Sequence, residues 1–556
     1  MKKTKKKLKI VPIGILLLLI ISSVLCYKYF FAKDLKPIKT EKLFIGSNEL
    51  SEYTKEVPEK YEKINIVRGE QVLAYKKNIL LENDKVEYYE IKYKNKKYLI
   101  EKNKLVRDKE DIVQEKTLYL RTSSTVYENP ETPNIKTFLK KGSQLDIVGY
   151  KNLLSDGTVE MYKVKSGENE GYIYSKYIVK NKELADAVYT EIHDIHKDRK
   201  YYFELYGGSA SSLDYYPYEK PKFKNNELKA ETKTYYLAGS RYILNNIDEY
   251  INVAKQYGAN AFVVDIKDGA LAYKSEVSKN YTQKSYDTAM NTVENYKKAI
   301  DKLKNAGFYT IGRIVLFNDK LFAQDNPNDC IKTPNGSSTS WVSGYSRHAW
   351  EYNVKLAQEA IDLFDFNEIQ YDYVRFPEAS FNWSKNNYNF QNNYNEEKAE
   401  TIQNFLFYAT DQIHKKNKYI SIDVFGECSG TYVTAYGQYW PAISNIVDVV
   451  SSMPYTDHFD RSNSEYWTKP YNTMLNWGKG AAARQKEIKT PAGVRTWITA
   501  YDTPYWNVTT VYDDSKIEEQ VRGLVDAGLG HGFITWNASS NINKYRQIGP
   551  AFNKEY

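Results

Sequence analysis

The sequence predicts an α/β protein with a C-terminal (β/α)8 barrel, small all-β modules before it and an N-terminal membrane anchor. Three observations predict this fold class. Eight short apolar runs alternate with amphipathic helical stretches in the C-terminal part of the chain. Two related stretches with period-two alternation precede them. A basic flank and an apolar run begin the chain.

The N-terminal segment, residues 1–32, has the pattern of a transmembrane anchor with a cytoplasmic basic tail. The basic stretch MKKTKKKLK precedes IVPIGILLLLIISSVLC, and the aromatic sequence YKYFF extends this run towards the far interface. The segment lacks a good small-x-small cleavage site, which favours an uncleaved anchor over a signal peptide. Lipidation of Cys26 is the alternative, but Leu25 stands where a small residue is expected. The positive-inside rule places the rest of the chain outside the cytoplasm.

Two similar β segments follow a polar stalk, residues 33–60. Residues 61–110 end in VEYYEIKYKNKKYLIEKNKLV, and residues 111–181 end in VEMYKVKSGENEGYIYSKYIV. Both alternate with period two between short polar turns, so we interpret them as an internal repeat of antiparallel modules. The second, with LRTSSTVY and GYIYSKYI, resembles a bacterial SH3 domain, and the first is a more degenerate copy. The resemblance implies binding of cell wall or another ligand; alternatively, the modules are a spacer.

The barrel pattern occupies residues 233–556, after a Tyr- and Pro-containing connector, residues 182–232, that we expect to pack on it. Helical stretches such as VENYKKAIDKLKNAG lie between the apolar runs and end in Gly, as helix C-termini do. A doubly wound sheet is the alternative, but such sheets often carry a Gly-rich phosphate loop, which this sequence lacks. The eight predicted strands are 235–239, 261–266, 309–315, 368–374, 419–425, 448–455, 492–498 and 532–536.

Composition and charge exclude several classes of function. The net charge is +8 over 556 residues, partly from the basic N-terminus, so we expect no nucleic-acid partner. Three widely spaced Cys and six scattered His do not form a metal-binding pattern, and we expect no metal and no cofactor. The 52 Tyr reflect either a codon bias or a surface of aromatic platforms that suits sugars.

Charged and aromatic residues accompany most of the predicted barrel strands. A charge is costly inside a core, whereas the C-terminal ends of barrel strands form the mouth that holds an active site. The candidate residues are Asp265 and Asp268 at the second strand, Arg313 at the third, Asp372 and Arg375 at the fourth, Asp423 and Glu427 at the fifth, Tyr455 and Asp457 at the sixth, Arg495 and Trp497 at the seventh, and Trp536 and Asn537 at the eighth.

Several carboxylates and aromatic rings at one mouth indicate glycoside hydrolysis. This reaction uses one carboxyl group to protonate the leaving oxygen and another to attack or to activate water. Asp372 and Asp423 are the leading candidates because each is embedded in an otherwise apolar strand. Any single Asp has an alternative role as a helix cap or in a structural ion pair. Aromatic rings would stack on sugar faces, and Arg313 or Arg375 would keep a nearby carboxylate ionised.

Six motifs in residues 233–550 resemble a bacterial family of glycosyl hydrolase type, a domain of unknown function. The motifs are NAFVVDIKD, YTIGRIVLFND, WEYNVKLAQEAIDLFDFNEIQYDYVRFP, SIDVFG, VDVVSSMPY and GFITWNAS. The resemblance implies a TIM-barrel glycosidase fold, distantly like the alpha-amylase type. In that arrangement Asp372 takes the place of the nucleophile. The acid belongs at the fifth strand, where the arrangement expects Glu; here Asp423 stands in the strand and Glu427 follows, so the acid and the stereochemical outcome stay open.

We therefore expect a membrane-anchored glycoside hydrolase that acts on a polysaccharide of the cell envelope, such as peptidoglycan, or of the extracellular space. The catalytic candidates are Asp372, Asp423 and Glu427, and the other strand-end residues would bind substrate. A non-catalytic barrel that binds glycan is the alternative. A third hypothesis is a scaffold in envelope assembly, which would bind no glycan.

Overall fold

The computed structural model describes residues 40–47, 66–80, 86–200, 206–503 and 508–556. The predicted anchor, residues 1–32, lies outside these ranges. Within them, no helix is both long enough and apolar enough to cross a membrane. The chain divides into two compact units, and the second contains Leu118–Leu145, Lys165–Ile173 and Tyr177–Tyr556.

The first sheet has five strands in the order β4-β3-β2-β1-β5. The strands are β1 (Glu41–Ile45), β2 (Gln71–Leu80), β3 (Glu87–Tyr93), β4 (Lys96–Glu101) and β5 (Leu105–Val106). Strand β1 corrects the prediction of a stalk over residues 33–60. Its alternation is too short to be recognised in the sequence, but Leu43 and Ile45 are buried in the core of this sheet, beside Val72 and Ile91.

The second sheet has seven strands in the order β12-β6-β9-β10-β11-β7-β8. The strands are β6 (Thr117–Leu120), β7 (Ser124–Tyr127), β8 (Ile135–Leu139), β9 (Gln144–Leu153), β10 (Val159–Ser166), β11 (Asn169–Tyr174) and β12 (Ile178–Val179). Small antiparallel β structure therefore occurs where the repeat predicts it. Its likeness to SH3 domains and the predicted domain boundaries stay predictions.

The remaining strands form a near-closed parallel barrel, apart from β15 and the pair β17 and β18. These strands are β13 (Lys233–Leu237), β14 (Ala261–Asp268), β15 (Ala270–Leu271), β16 (Tyr309–Val315), β17 (Cys330–Lys332), β18 (Ser338–Val342), β19 (Glu368–Asp372), β20 (Tyr419–Phe425), β21 (Val449–Met453), β22 (Gly493–Val494), β23 (Thr496–Thr499) and β24 (Phe533–Trp536). The barrel order is β22-β21-β20-β19-β16-β14-β13-β24-β23. Its two end strands, β22 and β23, are separated in the chain by Arg495 alone, so the sheet nearly closes into a barrel.

All eight predicted barrel strands occur, and the seventh is divided into β22 and β23. The fourth is shorter than predicted: β19 ends at Asp372 instead of Val374. The reason is Tyr373, whose φ of 55° lies in the left-handed region and cannot continue a strand.

Helices connect the barrel strands, as the alternating pattern predicts. Helix Val293–Asn305 shows how the sequence sets their limits: the Thr292 side chain accepts a hydrogen bond from the Asn295 backbone N–H, and Gly307 with φ 91° follows the end. The helices of this part are Arg241–Asn245, Ile247–Tyr257, Glu276–Tyr281, Gln283–Asp287, Val293–Asn305, Lys320–Asp325, Arg347–Phe364, Ser380–Lys385, Lys398–His414, Trp440–Ser444, Glu465–Thr468, Pro470–Gln485, Asp514–Asp526 and Ile542–Ile548.

The connector before the barrel holds two further helices, Lys182–Asp186 and Thr190–His196. Its apolar residues Ala210, Leu213 and Tyr215 pack in one buried cluster with residues of the barrel domain, among them Val433 and Tyr439. The connector therefore packs on the barrel, as expected from its Tyr and Pro content.

Candidate active site

Arg313, in β16, joins carboxylates from three barrel strands. Its side chain is 3% exposed. Nη1 donates to Asp265 Oδ1 at 2.7 Å and to Asp268 Oδ2 at 3.1 Å, and Nη2 donates to Asp372 Oδ2 at 2.5 Å. Its Nε lies 3.6 Å from Asp423 Oδ2. One guanidinium thus holds together four of the predicted site residues.

A β-bulge lets Asp265 and Asp268 reach the same guanidinium. Regular alternation would turn residues three apart to opposite faces of β14. The pairing of β14 with β16 shifts register between Asp265 and Lys267, and the extra residue restores the inward direction for Asp268. Lys267 instead donates to Asp319 Oδ2 at 2.6 Å and to Asn353 Oδ1 at 2.7 Å, which satisfies this buried ammonium.

Strand β19 carries polar residues at every second position. Glu368, Gln370 and Asp372 alternate with Ile369 and Tyr371, and all five are buried. Alternation directs the polar side chains to one face and the apolar ones to the other. Asp372, at the C-terminal end, also accepts a hydrogen bond of 2.6 Å from the backbone N–H of the next residue. The Tyr373 backbone therefore holds Oδ1 of the carboxylate, while Arg313 holds Oδ2.

Asp423, in β20, is the most deeply buried of the three catalytic candidates. Its side chain is 0% exposed, and Oδ1 accepts a hydrogen bond of 2.7 Å from Trp497 Nε1. Burial raises the pKa of Asp423 well above its usual range, the Asp372 carboxylate raises it further, and Arg313 and the Trp497 hydrogen bond oppose the rise. Burial therefore favours the protonated form of this carboxyl group.

Asp265 has a raised pKa for a similar reason. Burial raises the pKa of its carboxyl group from 3.8 to about 6, against the lowering effect of Arg313. The Tyr236 hydroxyl, from β13, donates to Asp265 Oδ2 at 2.5 Å. The neighbouring Asp268 carboxylate adds to the rise. Asp265 thus titrates close to neutral pH inside the barrel.

Glu427 occupies a different environment, on the 3-10 helix Gly426–Ser429 that follows β20. Its side chain is exposed. Tyr432 Oη donates to Oε1 at 2.8 Å and Tyr436 Oη donates to Oε2 at 2.7 Å, so two neutral hydroxyl groups hold the carboxylate in place.

A cavity of ≈ 830 Å³ opens at the C-terminal ends of the barrel strands. Its wall includes seven predicted site residues: Asp268, Arg313, Asp372, Glu427, Tyr455, Trp497 and Trp536. The Trp497 and Trp536 rings meet edge to face at 5.5 Å, and the Tyr455 ring stacks on Trp536 at 6.2 Å. The cavity thus combines carboxylates with aromatic surfaces, a lining of apolar walls with a few placed polar groups that is typical of ligand sites.

Three predicted carboxyl residues are buried next to the cavity wall without lining it. Asp265 and Asp423 contact Arg313, which does line it. Asp457 accepts a hydrogen bond of 2.6 Å from Tyr501 Oη, and its backbone precedes His458, another residue of the wall.

Arg375 and Asn537 lie outside the cavity wall. The Arg375 guanidinium donates to Glu378 Oε1 at 2.9 Å and lies 4.1 Å from the centre of the Phe425 ring. Asn537 accepts a hydrogen bond from Ser539 Oγ at 3.1 Å within the turn after β24. Both side chains thus contact neighbouring protein residues, and their contact with substrate stays a prediction.

Arg495 lies at the opposite end of the barrel, which corrects its prediction as a mouth residue. It donates from Nη1 to Glu368 Oε1 at 2.8 Å, and Glu368 is the first residue of β19, whereas Asp372 is the last. The break between β22 and β23 falls at Arg495 itself, so the predicted strand was correct but the position of the charge along it was not.

Residues that the sequence analysis did not single out complete the site. Tyr236 orders Asp265, and Tyr373, Phe425, Tyr432 and Trp477 contribute aromatic surface to the cavity. Trp477 lies within helix Pro470–Gln485 and had no sequence signal. For the Tyr and Phe residues, an aromatic residue in or after a strand was the only signal, and the chain has too many Tyr for that signal to select them.

Comparison with protein families and known structures gives three findings. The profile of a family described as "Putative glycosyl hydrolase domain" matches residues 234–542, which is more than half of the chain. No curated protein matches the chain significantly.

Among solved structures, a hypothetical protein from Ruminiclostridium thermocellum ATCC 27405 is 28% identical over 34% of this chain and 96% of its own, with a TM-score of 0.29. The glycoside hydrolase domain of PgaB (BpsB) from Bordetella bronchiseptica is 12% identical over 57% of this chain and 98% of its own, with a TM-score of 0.41. The GH20 exo beta-N-acetylglucosaminidase from Vibrio harveyi is 12% identical over 60% of this chain and 55% of its own, with a TM-score of 0.38.

Proposed function

Because the chain belongs to this family of glycosyl hydrolases, we propose that it hydrolyses a polysaccharide of the cell envelope or of the extracellular space, with a (β/α)8 barrel as its catalytic domain. The observation that carries the proposal is the position of Asp372. Its carboxylate borders a cavity with aromatic walls, and Arg313 holds it beside a second carboxyl group, Asp423.

In this proposal Asp372 is the nucleophile or the general base. Its carboxylate is fixed by one guanidinium and one backbone N–H, which orients an oxygen for attack on the sugar or for activation of water. The general acid is Asp423 or Glu427. Burial raises the pKa of Asp423 well above its usual range, which favours the protonated form that an acid needs, whereas Glu427 borders the cavity, as contact with a leaving oxygen requires.

The two candidate acids have different experimental signatures. A general acid is needed for a poor leaving group but not for a good one, because a good leaving group departs without protonation. Replacing the true acid should therefore abolish cleavage of polysaccharide and spare cleavage of an aryl glycoside with a dinitrophenyl leaving group. Asp423→Asn and Glu427→Gln, assayed on both substrates, decide the assignment.

A barrel that binds glycan without cleaving it is the second candidate function. The observation in its favour is that Arg313 is shared by three carboxylates while Asp423, the candidate acid with the raised pKa, does not line the cavity. Such a barrel would use the same aromatic walls to stack on sugars, and the strand-end carboxylates would accept hydrogen bonds from hydroxyl groups.

The full chain should be incubated with purified envelope polysaccharides and peptidoglycan, and new reducing ends should be measured. We expect release by the wild type and by the control Asp301→Asn, whose exposed carboxylate pairs with Lys297 on helix Val293–Asn305. Asp372→Asn should lose at least about 10³-fold in rate but still bind the glycan. Binding by the wild type with no new reducing ends from any substrate would establish the binding barrel instead.

We also propose that residues 1–32 anchor the chain in the cytoplasmic membrane with the bulk of the protein outside the cytoplasm. The basic flank and the apolar run that follows it support this location. The β modules before the barrel would then hold it away from the membrane or bind the cell wall.

A further inference from the structure

The charged groups of the cavity wall are mainly acidic. Asp268, Asp372, Glu378 and Glu427 line it. Among the residues that the structure describes, the basic ones on the wall are Arg313 and Arg461, beside His458. Behind this wall lie further carboxyl groups, Asp265, Asp423 and Asp457, and one further guanidinium, Arg375.

The positive charge of Arg313, the most buried guanidinium of the wall, is already paired with carboxylates. Arg313 makes ion pairs with Asp265, Asp268 and Asp372, so one positive charge serves three carboxyl groups. Glu378 has its own partner in Arg375. With Glu378 paired, the carboxylates of Asp268, Asp372 and Glu427 remain on the wall against the guanidinium groups of Arg313 and Arg461, so the described wall keeps an excess of negative charge.

Glu427 presents part of this excess negative charge to a ligand in the cavity. Its two hydrogen bonds come from tyrosine hydroxyls, which are neutral and do not cancel its charge. It is exposed and lies on the wall. Each of its oxygens accepts one hydrogen bond and can accept a second, from a ligand.

The aromatic part of the wall also favours a positive group. The Trp536 ring already lies 5.7 Å from the guanidinium carbon of Arg313, and the Tyr455 ring stacks on Trp536. The faces of aromatic rings attract cations electrostatically, most strongly where water is excluded. Phosphate or carboxylate groups on a sugar would meet repulsion from the same wall.

We infer that the glycan bound in this cavity carries free amines, so that an ammonium group of a deacetylated amino sugar pairs with Glu427. The inference rests on the proposed function, since it names the substrate class of the same site. It excludes anionic glycans as the preferred ligands and distinguishes an amino sugar from its N-acetylated form, whose amide is neutral.

The test compares glucosamine oligosaccharides with the same oligosaccharides after complete N-acetylation and with uronate-containing oligosaccharides of equal length. Binding to the full chain carrying Asp372→Asn is measured by calorimetry at low salt. A charge-assisted hydrogen bond predicts about 10- to 100-fold tighter binding of the free-amine form, with the uronate form weakest. The preference should shrink as salt is added.

Adding Glu427→Gln to this protein should remove most of the preference by weakening binding of the free-amine form, and an unfolding midpoint in urea equal to that of the parent protein shows that the variant folds. Adding Asp301→Asn should leave the preference intact. Equal or tighter binding of the N-acetylated or uronate form, or binding of none of the three, overturns the inference. The proposed function is judged separately, by reducing ends from the envelope polysaccharides, so either can fail alone.

Discussion

At the scale of single residues, Arg313 sets the electrostatics of the site. Its guanidinium touches Asp265, Asp268 and Asp372 and lies close to Asp423. A single positive charge cannot stabilise four buried or half-buried carboxylates, so two of them keep raised pKa values. Burial thus raises the pKa of Asp265 and Asp423 beside the guanidinium they share, and a carboxyl group with a raised pKa is what acid catalysis requires.

The raised pKa of Asp265 predicts a pH-dependent contribution to stability. Its folded-state pKa of about 6 exceeds the ordinary 3.8, so the folded state binds this proton more tightly than the unfolded state. The free energy of unfolding therefore rises as pH falls from about 6 to about 4, by up to about 3 kcal/mol from this group. Above pH 6 the cost of burying the charge is present in full.

Urea unfolding of the wild type and of Asp265→Asn, compared between about pH 6.5 and pH 4, measures this contribution. The variant lacks the titrating group, so the difference in unfolding free energy should shift in favour of the wild type as the pH is lowered. A difference that stays constant over this range would show that Asp265 does not titrate there.

The hydrogen bond from Trp497 to Asp423 gives a second prediction. Trp497→Phe leaves Asp423 Oδ1 buried without its donor, which should cost about 1–3 kcal/mol of unfolding free energy and raise the pKa of Asp423 further. We expect kcat to fall at least about 10-fold, with the limb of the pH–rate profile that reports this acid moved to higher pH.

Trp350→Phe is the matched control, because Trp350 is equally buried and its Nε1 donates to the Gly344 carbonyl, outside the cavity wall. It should lose similar stability and keep its activity. If both variants lose activity alike, the role of Trp497 is packing alone.

At the scale of elements, short departures from regular geometry position the site. The bulge in β14 directs Asp265 and Asp268 to one guanidinium. Tyr373, whose backbone has the left-handed conformation, ends β19 directly after Asp372. The break at Arg495 divides the seventh strand. None of these three features could be predicted from the sequence, because each depends on the register between neighbouring strands.

The buried pair of Arg495 and Glu368 gives a prediction for the closed end of the barrel. Both side chains are 0% exposed. Arg495→Met leaves the Glu368 charge unpaired in the core and should cost about 3–5 kcal/mol of unfolding free energy. The double variant with Glu368→Gln removes both charges and should recover part of this loss.

Recovery will be incomplete, because Arg495 also donates to the backbone carbonyls of Lys229 and Ala230. Thermal or urea unfolding of the two single variants and the double variant gives the coupling energy. Strictly additive losses would mean that the pair contributes no net interaction.

At the scale of the whole molecule, the alternation of apolar runs and helices was enough to predict a parallel barrel. The sequence predicts that Asp372 and Asp423 lie at the mouth of the barrel, and the structure brings both to Arg313, with Asp372 on the cavity wall and Asp423 next to it. Their catalytic roles stay predictions. The direction of Arg375, and the end of the barrel that Arg495 occupies, could not be predicted. The loop after β19 decides where the Arg375 side chain lies. The register between neighbouring strands decides which end of the barrel Arg495 occupies.

The N-terminal segment gives a prediction at this scale. If residues 1–32 anchor the chain, the full-length protein should sediment with membranes and resist extraction by high salt, since the hydrophobic anchor is not screened. A chain without these residues should be found in the soluble fraction. Equal distribution of the two forms after fractionation would contradict the anchor.

The most direct test of a catalytic Asp372 is the turnover of Asp372→Gly with and without azide, on whichever polysaccharide or aryl glycoside the wild type cleaves. Azide fits the space left by the carboxylate and can replace it as nucleophile. We predict that the variant is inactive alone and that azide restores turnover with formation of a glycosyl azide. Activity of the variant without azide, or a folded variant that azide does not rescue, would contradict the central role of Asp372.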